Sequence, residues 1–417
     1  MPDTSYDCDV VVIGAGAAGL AASKDLRARG LKAFCLEASD RKGGRCFTDT
    51  RTFGVPFDHG AHWLHNRPTN PFVEIGHAFG FSLYPIPPHY FTEGGPDGDA
   101  ALDAVFERFG EKIETAVSTG QDVAADTLFD DHGEWAHTAG FMHALPMGRD
   151  PDHISTIDYA EGTISDNWLC HEGFGAILHR YHDTTDVTLN TPVRAVSVSR
   201  DGVQVRTDDG DINAQSVIVT ASTGVLAADV IAFDPPLDMR HRQAIEGITM
   251  GTYNHTALLF EPGTIPVPDD CWVTYRIDEA SRGSARGGGL LCNAGGTGLC
   301  VLETAGRFSR DLEKAGVDAA SDVALDALAR LFGNGVRTRV NGAYMTKWSA
   351  NPFTRGSYSG ALPGCAHLRP DLKRPHAERV FFAGEATSDA NRATVAGAHH
   401  EGVRAAGEAA TLLGHAE

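Results

Sequence analysis

The first residues whose types and spacing can do chemistry form a glycine-rich turn near the N-terminus. Residues 10–19 read Val-Val-Val-Ile-Gly-Ala-Gly-Ala-Ala-Gly. Gly14 suits a tight turn, Gly16 lets the backbone approach a pyrophosphate, and Gly19 lets a following helix pack closely on the strand. Glu37, about twenty residues further on, can accept hydrogen bonds from an adenosine ribose. The spacing predicts a dinucleotide-binding βαβ unit and leaves the dinucleotide open.

The elements that must position this turn follow from local patterns. Val10–Ile13 is an apolar run typical of a buried parallel strand. A helix is predicted over residues 17–29, ending at Gly30, and a second strand over 31–36 leads to Glu37. The turn is therefore expected between the first strand and the first helix.

A second glycine-rich turn follows directly and carries arginines. Gly43 and Gly44 allow a ligand to approach the backbone, and Arg41 and Arg45 can neutralise a phosphate. Because this turn follows the predicted ribose carboxylate, we expect it to bind the same ligand.

The pattern of apolar residues predicts that helical and strand-rich sections alternate along the rest of the chain. Residues 72–181 are mostly helical, with an amphipathic helix over 103–118. Turns at Asp201-Gly202 and Asp209-Gly210 separate the members of a strand meander. Its predicted strands are 186–189, 193–198, 203–207 and 216–220. The later elements are a strand over 256–260, a helix over 319–332, a strand over 379–382 and a final helix over 395–413.

Composition limits the class of protein. A chain of 417 residues is too long for one ordinary core, so two interleaved domains are expected. Hydrophobic residues at 42% and charged residues at 22% suit a globular protein. No apolar run has the length of a membrane helix, and the polar, acidic residues 1–7 do not resemble a secretion signal. A cytoplasmic protein that does not enter a membrane is expected.

The net charge, the cysteines and the histidines indicate which classes of ligand this protein can bind. The net charge of −20 argues against nucleic acid, which needs a basic footprint, and mildly favours a cationic substrate. The eight cysteines form no C-x-x-C pair, so neither a zinc site nor a disulfide framework is expected. The histidine pairs lack a recognisable carboxylate pattern, and no metal site is predicted. These pairs are His62/His65, His137/His143 and His399/His400.

Taken together, these features resemble the flavin-containing amine oxidase family, whose members include monoamine, polyamine and L-amino-acid oxidases. The resemblance rests on five ordered blocks: Ile13–Gly19 with Glu37, Asp40–Arg45, Asp58–His65, Val219–Leu237, and Lys347–Tyr358 with Phe381–Ala406. It implies an α/β fold in which a Rossmann-like FAD-binding domain joins a substrate domain of mixed sheet and helices. The implied FAD-binding segments are 1–71, 182–233 and 371–417, and the implied substrate segments are 72–181 and 234–370.

The resemblance also implies which residues bind FAD. Arg45 and its neighbours are expected at the pyrophosphate, the backbone of Val193 at the adenine, and Glu385 near the ribityl or ribose region. The free N–H groups of a helix beginning at Val395 suit the negative charge of a reduced flavin. The full implied set is Gly14, Gly16, Ala17, Ala18, Gly19, Glu37, Ala38, Gly43, Gly44, Arg45, Gly60, Ala61, His62, Trp63, Val193, Trp348, Gly384, Glu385, Thr394 and Val395.

Family enzymes oxidise a C–N bond: a neutral amine gives a hydride equivalent to flavin N5, and the resulting imine hydrolyses to an aldehyde or ketone. Gly60–His65 followed by Asn70-Pro71 is similar to the polyamine-oxidase form of the third block. That similarity implies that His65 lines the amine site with a catalytic role. A purely structural imidazole is the alternative.

Three further positions describe the implied amine site. Ser357 lies where monoamine oxidases attach their flavin through a cysteine, so non-covalent FAD is expected. Tyr358 is expected to form one wall of an aromatic cage, where its ring face can stabilise an amine nitrogen. The opposite wall is Thr394 rather than a second tyrosine. Trp63 and Trp348 are the remaining implied substrate contacts.

His255 departs from the family pattern. The segment Gly251–Phe260 is similar to one in which the family has a lysine that holds a water near flavin N5. Two interpretations of the role of His255 stay open. His255 can hold the same water, or the loss of a fixed ammonium can slow the reaction with oxygen. The second reading predicts a slow oxidase, or a dehydrogenase that passes electrons to another acceptor.

Several alternatives stay open at this stage. An L-amino-acid oxidase needs an arginine for the substrate carboxylate, for which Arg67 and Arg355 are candidates. A carotenoid-type desaturase shares the N-terminal blocks, but Trp63, Trp348 and the C-terminal Gly-Glu-x-Thr-Ser pattern favour amines. A catalytically inert FAD-binding regulatory protein is the alternative outside the enzyme class. A small amine and oxygen, or another acceptor, are the expected partners; the particular substrate and a homodimeric state are left open.

Overall fold

The computed structural model describes residues 6–86, 89–130, 132–162, 165–278, 280–281 and 283–415. The outermost limits of the predicted FAD-binding segments, residues 1 and 417, lie outside these ranges, as does most of the polar run 1–7. Within them, no helix is both long and apolar enough to cross a lipid bilayer.

The described chain contains α-helices and short strands that alternate in the expected order. The α-helices are α1 Ala17–Ala28, α2 Pro71–Ala78, α3 Pro96–Ser118, α4 Ala136–Ala144, α5 Thr156–Glu161, α6 Phe174–Tyr181, α7 Thr223–Ala227, α8 Met239–Gly247, α9 Gly306–Ala315, α10 Val317–Phe332, α11 Arg369–Leu372 and α12 Val395–Leu412. The strands are β1 Cys8–Ile13, β2 Ala33–Leu36, β3 Thr48–Asp49, β4 Phe57–Asp58, β5 Leu83–Pro85, β6 Tyr90–Thr92, β7 Trp168–Cys170, β8 Val193–Val198, β9 Val203–Thr207, β10 Gly210–Val219, β11 Ala232–Asp234, β12 Ile248–Met250, β13 Tyr253–Phe260, β14 Cys271–Thr274, β15 Ala280–Ser281, β16 Ser284–Ala285, β17 Gly289–Ala294, β18 Leu299–Ala305, β19 Val340–Met345, β20 Ser359–Ala361 and β21 Val380–Phe382.

The first sheet gathers strands from three separate parts of the chain. Its order is β11-β8-β9-β10-β1-β2, and β21 also pairs with β10. The strands β1, β2, β10 and β21 run parallel, whereas β8, β9 and β10 form the predicted antiparallel meander. The carboxyl ends of these four parallel strands therefore meet at one edge, where open α/β sheets bind their ligands.

Helices α1 and α12 cover one face of this sheet. Val10 and Val12 of β1 are fully buried against a core that includes Ala405 and Ala406 of α12. The two helices approach so closely that a Cβ at Gly402 would lie 2.1 Å from the carbonyl oxygen of Ala18. Small residues at this contact allow the C-terminal helix to pack on the N-terminal one, which joins the two ends of the fold.

The second sheet has the order β19-β13-β18-β17-β14-β6. Its two faces differ, because successive side chains of a strand point to opposite sides. Leu302 and its neighbours on one face pack against α10 in an apolar core. Leu299, Val301 and Glu303 of β18 point from the other face into a cavity. The sheet thus supplies a rigid floor for that cavity.

The sequence-based elements agree with the structure in order and type, with one exception. The strand predicted over 186–189 is absent from the described residues: Thr188 makes only an isolated bridge with Leu36. Asn190 directly after it has φ of 54°, a left-handed turn that ends extended pairing. The helix predicted over 103–118 begins earlier, at Pro96, and the strand predicted over 216–220 begins at Gly210.

The fold class is the predicted one: an α/β fold with a Rossmann-like domain and a second domain of mixed sheet and helices. The predicted domain limits remain a prediction. They are consistent with the first sheet, whose strands come from the segments 1–71, 182–233 and 371–417, apart from the last residue of β11.

Candidate active site

The glycine turn after β1 has the geometry that its sequence predicts. Gly14 has φ of 101°, a left-handed conformation that glycine adopts without steric cost. A Cβ at Gly19 would lie 1.8 Å from the carbonyl oxygen of Gly14, so the strand–helix contact requires glycine there. Gly16 differs, because a Cβ there meets no atom within 4 Å. The space beside Gly16 is open to a ligand.

Glu37 follows β2 and lies beside the glycine turn, at the same end of the sheet. Its Oε2 atom accepts a hydrogen bond of 2.7 Å from the N–H of Ala15, in the turn itself. Its Oε1 atom accepts hydrogen bonds from the N–H and hydroxyl of Ser39 at 2.9 and 2.8 Å. A carboxylate offers about four lone-pair positions, so both oxygens keep capacity for a ribose hydroxyl.

The arginine-containing turn lies directly beside the first one. Gly43 pairs with Gly16 in an isolated bridge, and a Cβ at Gly44 would lie 3.3 Å from the Cα of Gly16. Arg45 donates hydrogen bonds to Glu385 Oε1 at 2.9 Å and to the Ser357 carbonyl at 2.7 Å. Burial raises the pKa of Glu385, but the charge of Arg45 and the hydrogen bonds from Ser359 and Arg45 together outweigh burial, so that pKa is lowered.

Helix α12 begins at Val395, where the sequence predicts a helix start. Thr394 is the N-cap residue, and its hydroxyl accepts a hydrogen bond of 3.0 Å from the N–H of Gly397. The N–H of Ala398 donates to the Thr394 carbonyl at 3.1 Å. Val395 is the first helical residue, in the first turn, where a helix has free N–H groups suited to an anion.

The other implied cofactor residues connect this region to the second domain. Ala61 donates its N–H to the Arg45 carbonyl at 3.1 Å, and a Cβ at Gly60 would lie 2.2 Å from that oxygen. The indole N–H of Trp348 donates to the His59 carbonyl at 3.1 Å. Val193 begins β8, and Gly384 follows β21 with open space around its Cα. The open glycines, the carboxylate at Glu37 and the helix N-terminus fit a dinucleotide.

A cavity of about 70 Å³ lies on the free face of the second sheet. Its lining includes His171 and Tyr84 at the solvent side and the buried side chains of His255 and Glu303 at the inner end. His62 also lines the inner end. The cavity is therefore an apolar passage that leads from the surface to a group of polar side chains.

His255 is buried and held at both ring nitrogens. Its Nδ1 atom lies 2.9 Å from the Asp58 carbonyl oxygen, which can only accept, so Nδ1 carries the proton. Its Nε2 atom then accepts from the Tyr253 hydroxyl at 3.0 Å. Burial, and next the charge of His62, lower the pKa of His255 to about 4. His255 is thus a neutral imidazole at neutral pH.

His62 and Glu303 face each other next to His255. The His62 Nε2 atom lies 3.3 Å from Glu303 Oε1, and the rings of His62 and His255 are 4.9 Å apart. Burial lowers the pKa of His62, but the close contact with the Glu303 carboxylate outweighs burial and raises that pKa. Burial raises the pKa of Glu303, but the close contact with His62 outweighs burial, so the pKa of Glu303 is lowered.

The remaining predicted residues differ in how close they come to this group. Tyr358 contacts it through Tyr253, with ring centroids 5.6 Å apart, and its hydroxyl donates to the Leu145 carbonyl at 2.5 Å. The ring of Trp63 lies 4.5 Å from that of His62. His65 is half-buried, and its Nδ1 atom lies 2.8 Å from Asn167 Oδ1. The catalytic role of His65 therefore stays a prediction.

The candidate arginines for a substrate carboxylate lie at the surface. Arg67 pairs with Asp166 at 2.7 Å, and 47% of its side chain is exposed. Arg355 is also exposed and has φ of 50°.

Sequence reasoning missed Glu303 and Tyr253. Tyr253 precedes His255 by two residues, which places both on one side of β13, and this spacing could have identified it. Glu303 pairs with His255 across β13 and β18. The two residues are 48 positions apart, so only the strand register brings them together.

Comparison with known families gives the class of this protein. Residues 119–410 match the family model of flavin-containing amine oxidoreductases, and residues 12–75 match an NAD(P)-binding Rossmann-like domain. The first match covers well over half of the chain, and the chain belongs to the flavin-containing amine oxidoreductase family. It is therefore a flavin-dependent oxidoreductase of the amine oxidase type.

Particular relatives share this architecture along almost the whole chain. Polyamine oxidase 4 of Oryza sativa is 26% identical over 96% of this chain and 88% of its own length. The human lysine-specific histone demethylase 2 is 27% identical over 99% of this chain, which spans only 54% of that protein. Wild-type putrescine oxidase bound to putrescine superposes with a TM-score of 0.80 at 20% identity, covering 98% and 99% of the two chains. Cyclohexylamine oxidase from Brevibacterium oxydans gives 0.79 at 20% identity, covering 98% and 100%.

Proposed function

We propose that this chain oxidises the C–N bond of a small amine, giving an imine that hydrolyses to an aldehyde or ketone, with oxygen as the electron acceptor. The observation that carries the proposal is membership of the flavin-containing amine oxidoreductase family together with a cavity that ends at buried polar side chains. When bound, the flavin accepts the hydride equivalent.

The cofactor in this proposal is FAD, held without a covalent bond. Glu37 would accept from the ribose, the open backbone at Gly16 would approach the pyrophosphate, and Arg45 would neutralise its charge. The N-terminus of α12 would stabilise negative charge on the ring system. Ser357 stands at the position where monoamine oxidases attach their flavin through a cysteine, so this chain has no thiol there for a covalent bond.

Denaturation tests this mode of binding. Acid precipitation of the purified protein should release all of the flavin into the supernatant, where its mobility should match FAD. Flavin that stays with the precipitate would contradict non-covalent binding, and flavin of another mobility would contradict FAD.

The substrate class in this proposal is a cationic amine similar to those of polyamine oxidases. Asp58, Asp270 and Glu303 line the cavity, and the whole chain has a net charge of −20. Both features attract an ammonium group from solution. Tyr358, which packs on Tyr253 behind the polar group, would stabilise the amine nitrogen with its ring face if the substrate passes beyond the inner end. The identity to polyamine oxidase 4 over most of both chains supports the same class.

A dehydrogenase is the second candidate, and His255 favours it. Both ring nitrogens of this neutral imidazole are already engaged, so it provides no fixed positive charge at the position where the family resemblance implies lysine. Without such a charge, the reaction with oxygen is expected to be slower. A soluble or membrane-bound electron acceptor would then replace oxygen.

One screen separates these candidates. Amines and amino acids are added without oxygen while the visible absorbance of the bound flavin is followed, and the screen is then repeated in air for peroxide. Reduction by amines with rapid peroxide release is the expected result. Reduction without peroxide supports the dehydrogenase, and reduction by amino acids alone supports an L-amino-acid oxidase.

A further inference from the structure

The inner end of the cavity brings together three side chains that ligate metals. One ligand atom from each of His62, His255 and Glu303 lies within 4.8 Å of the other two. The three residues come from the segment after β4, from β13 and from β18. Because they are far apart in the sequence, no linear motif identifies them. Two imidazoles and one carboxylate are the protein ligands of many catalytic zinc sites, which keep a further position open.

Both imidazoles are oriented in the way that metal-binding histidines are. His62 Nδ1 lies 3.3 Å from the Gly60 carbonyl oxygen, and His255 Nδ1 lies 2.9 Å from that of Asp58. A carbonyl can only accept, so Nδ1 of each ring carries a proton and Nε2 is the atom presented to the cavity. This second layer of hydrogen bonds fixes the tautomer in most histidine metal sites.

Two of the ligand atoms lack a satisfied hydrogen bond. His62 Nε2 and Glu303 Oε1 are inaccessible to solvent and have no hydrogen-bond partner among the described residues. They lie 3.3 Å apart, without the angles of a hydrogen bond, and only 2% of the Glu303 side chain is exposed. Orphaned buried polar atoms carry a cost that a bound ion would remove.

We propose that His62, His255 and Glu303 bind one divalent transition-metal ion, such as Zn²⁺, at the inner end of the cavity. The mixed imidazole and carboxylate set suits zinc better than calcium or magnesium, which prefer oxygen ligands alone. The exposed mouth beside His171 gives the ion a route from solvent.

Such an ion would supply positive charge at His255, where the family resemblance implies the ammonium of a lysine. The metal site stands on the three ligands alone and does not depend on the proposed amine oxidation.

Tyr253 gives a way to test the ligand set without removing a ligand. Its hydroxyl donates to His255 Nε2 at 3.0 Å, so metal binding has to break this hydrogen bond. Tyr253→Phe frees the nitrogen and leaves the ring in place. Its zinc affinity should equal or exceed that of the wild type.

The experiment measures Zn²⁺ binding to the purified, chelator-treated protein with its flavin, by calorimetric titration and by metal analysis after dialysis. One equivalent per chain is expected. Glu303→Gln and His62→Ala should each weaken binding at least about 100-fold, since removal of outer partners alone costs about 10–100-fold. His137→Ala, at an exposed histidine, is the matched control and should bind as the wild type does.

Zinc-edge anomalous diffraction from wild-type crystals soaked in Zn²⁺ gives an answer even if a variant fails to fold. A peak about 2.0–2.2 Å from all three ligand atoms is expected. Absence of stoichiometric binding, a peak elsewhere, or full binding by Glu303→Gln would overturn the proposal and leave His62 and Glu303 as an ion pair. Zinc binding without amine oxidation would refute the proposed function alone, and amine oxidation without zinc binding would refute this inference alone.

Discussion

The cofactor end and the inner end of the cavity are built in opposite ways. At the cofactor end, Gly14, Gly19 and Glu37 come from one short stretch, and backbone contacts fix their roles. At the inner end, His255 and Glu303 come from distant strands, and their side chains determine what the site does. The first region depends on close packing, whereas the second depends on charge and protonation.

This contrast predicts which kind of substitution disrupts each region. A single added carbon atom is enough to disrupt the cofactor end, because the backbone there has no room to move. At the inner end the shapes tolerate substitution better, and a change of charge or of a lone pair alters the chemistry. Substitutions that separate packing from ligand binding therefore test the comparison most sharply.

The largest effect is expected for Gly19→Ala. Its Cβ would lie 1.8 Å from the carbonyl oxygen of Gly14, so the strand and α1 must separate. We expect a loss of more than about 4 kcal/mol in the free energy of unfolding, measured by urea denaturation. Gly16→Ala is the matched variant, because its Cβ meets no atom within 4 Å. It should keep the stability of the flavin-free protein and lose flavin affinity; equal destabilisation by both variants would refute this division.

The next effect is expected at Asp158, a buried carboxylate of α5 that contacts Arg369 and Arg392 near the C-terminus. Asp158 is fully buried and accepts hydrogen bonds from Arg369 at 2.8 Å and Arg392 at 2.6 Å. Asp158→Asn leaves the buried guanidinium group of Arg369 without its carboxylate, whereas Arg392 keeps Glu161 as a partner, and should cost about 3–5 kcal/mol in thermal or urea unfolding. Asp208→Asn removes an exposed, solvent-screened partner of Arg194 and should leave the stability almost unchanged. Similar costs for the two variants would argue against a buried ion pair at Asp158.

The pH dependence of stability should reflect His182 at the cofactor end. Burial, and then the positive charges of His399, Lys24 and Lys42, lower its pKa from 6.5 to about 3. The unfolded chain therefore takes up a proton first as the pH falls, and stability is lost below pH 6.5. Between neutral pH and pH 5 the loss from this residue should be about 2 kcal/mol. His182→Gln should flatten the pH profile of unfolding, and an unchanged profile would contradict a neutral buried imidazole.

The smallest effect is expected at the inner end, for His255→Lys in protein freed of metal by chelation. A lysine would place a charged ammonium beside Glu303, where the neutral imidazole lies now. The rate at which the reduced enzyme reacts with oxygen should rise about tenfold, or about 1.4 kcal/mol in activation free energy. Stopped-flow reoxidation measures it. An unchanged rate would show that this position does not control the reaction with oxygen.

The order of the elements and the cofactor end could be predicted because their signals are local. The glycine spacing of 14–19, the apolar run before it and the acid at 37 all lie within one βαβ unit. Backbone packing alone explains each of them. The strand predicted over 186–189 was wrong for a local reason as well, since the left-handed Asn190 ends it and the pattern of apolar residues does not reveal that turn.

The inner end could be predicted only in part. His255 was identified because it departs from a resemblance, and His62 because it lies in a recognised block. Glu303 could not be identified, because its meeting with His255 depends on the antiparallel register of β13 and β18. The charge state of the group also depends on burial, which no spacing in the sequence encodes.

The most direct test of the proposed amine oxidation is anaerobic mixing of the flavin-loaded protein with a panel of mono-, di- and polyamines. The proposed function predicts that at least one amine bleaches the visible flavin band, that the matching aldehyde or ketone appears in equal amount, and that admission of air restores the band with release of peroxide. A flavin band that stays unchanged with every amine, in protein that dithionite still reduces, would contradict it.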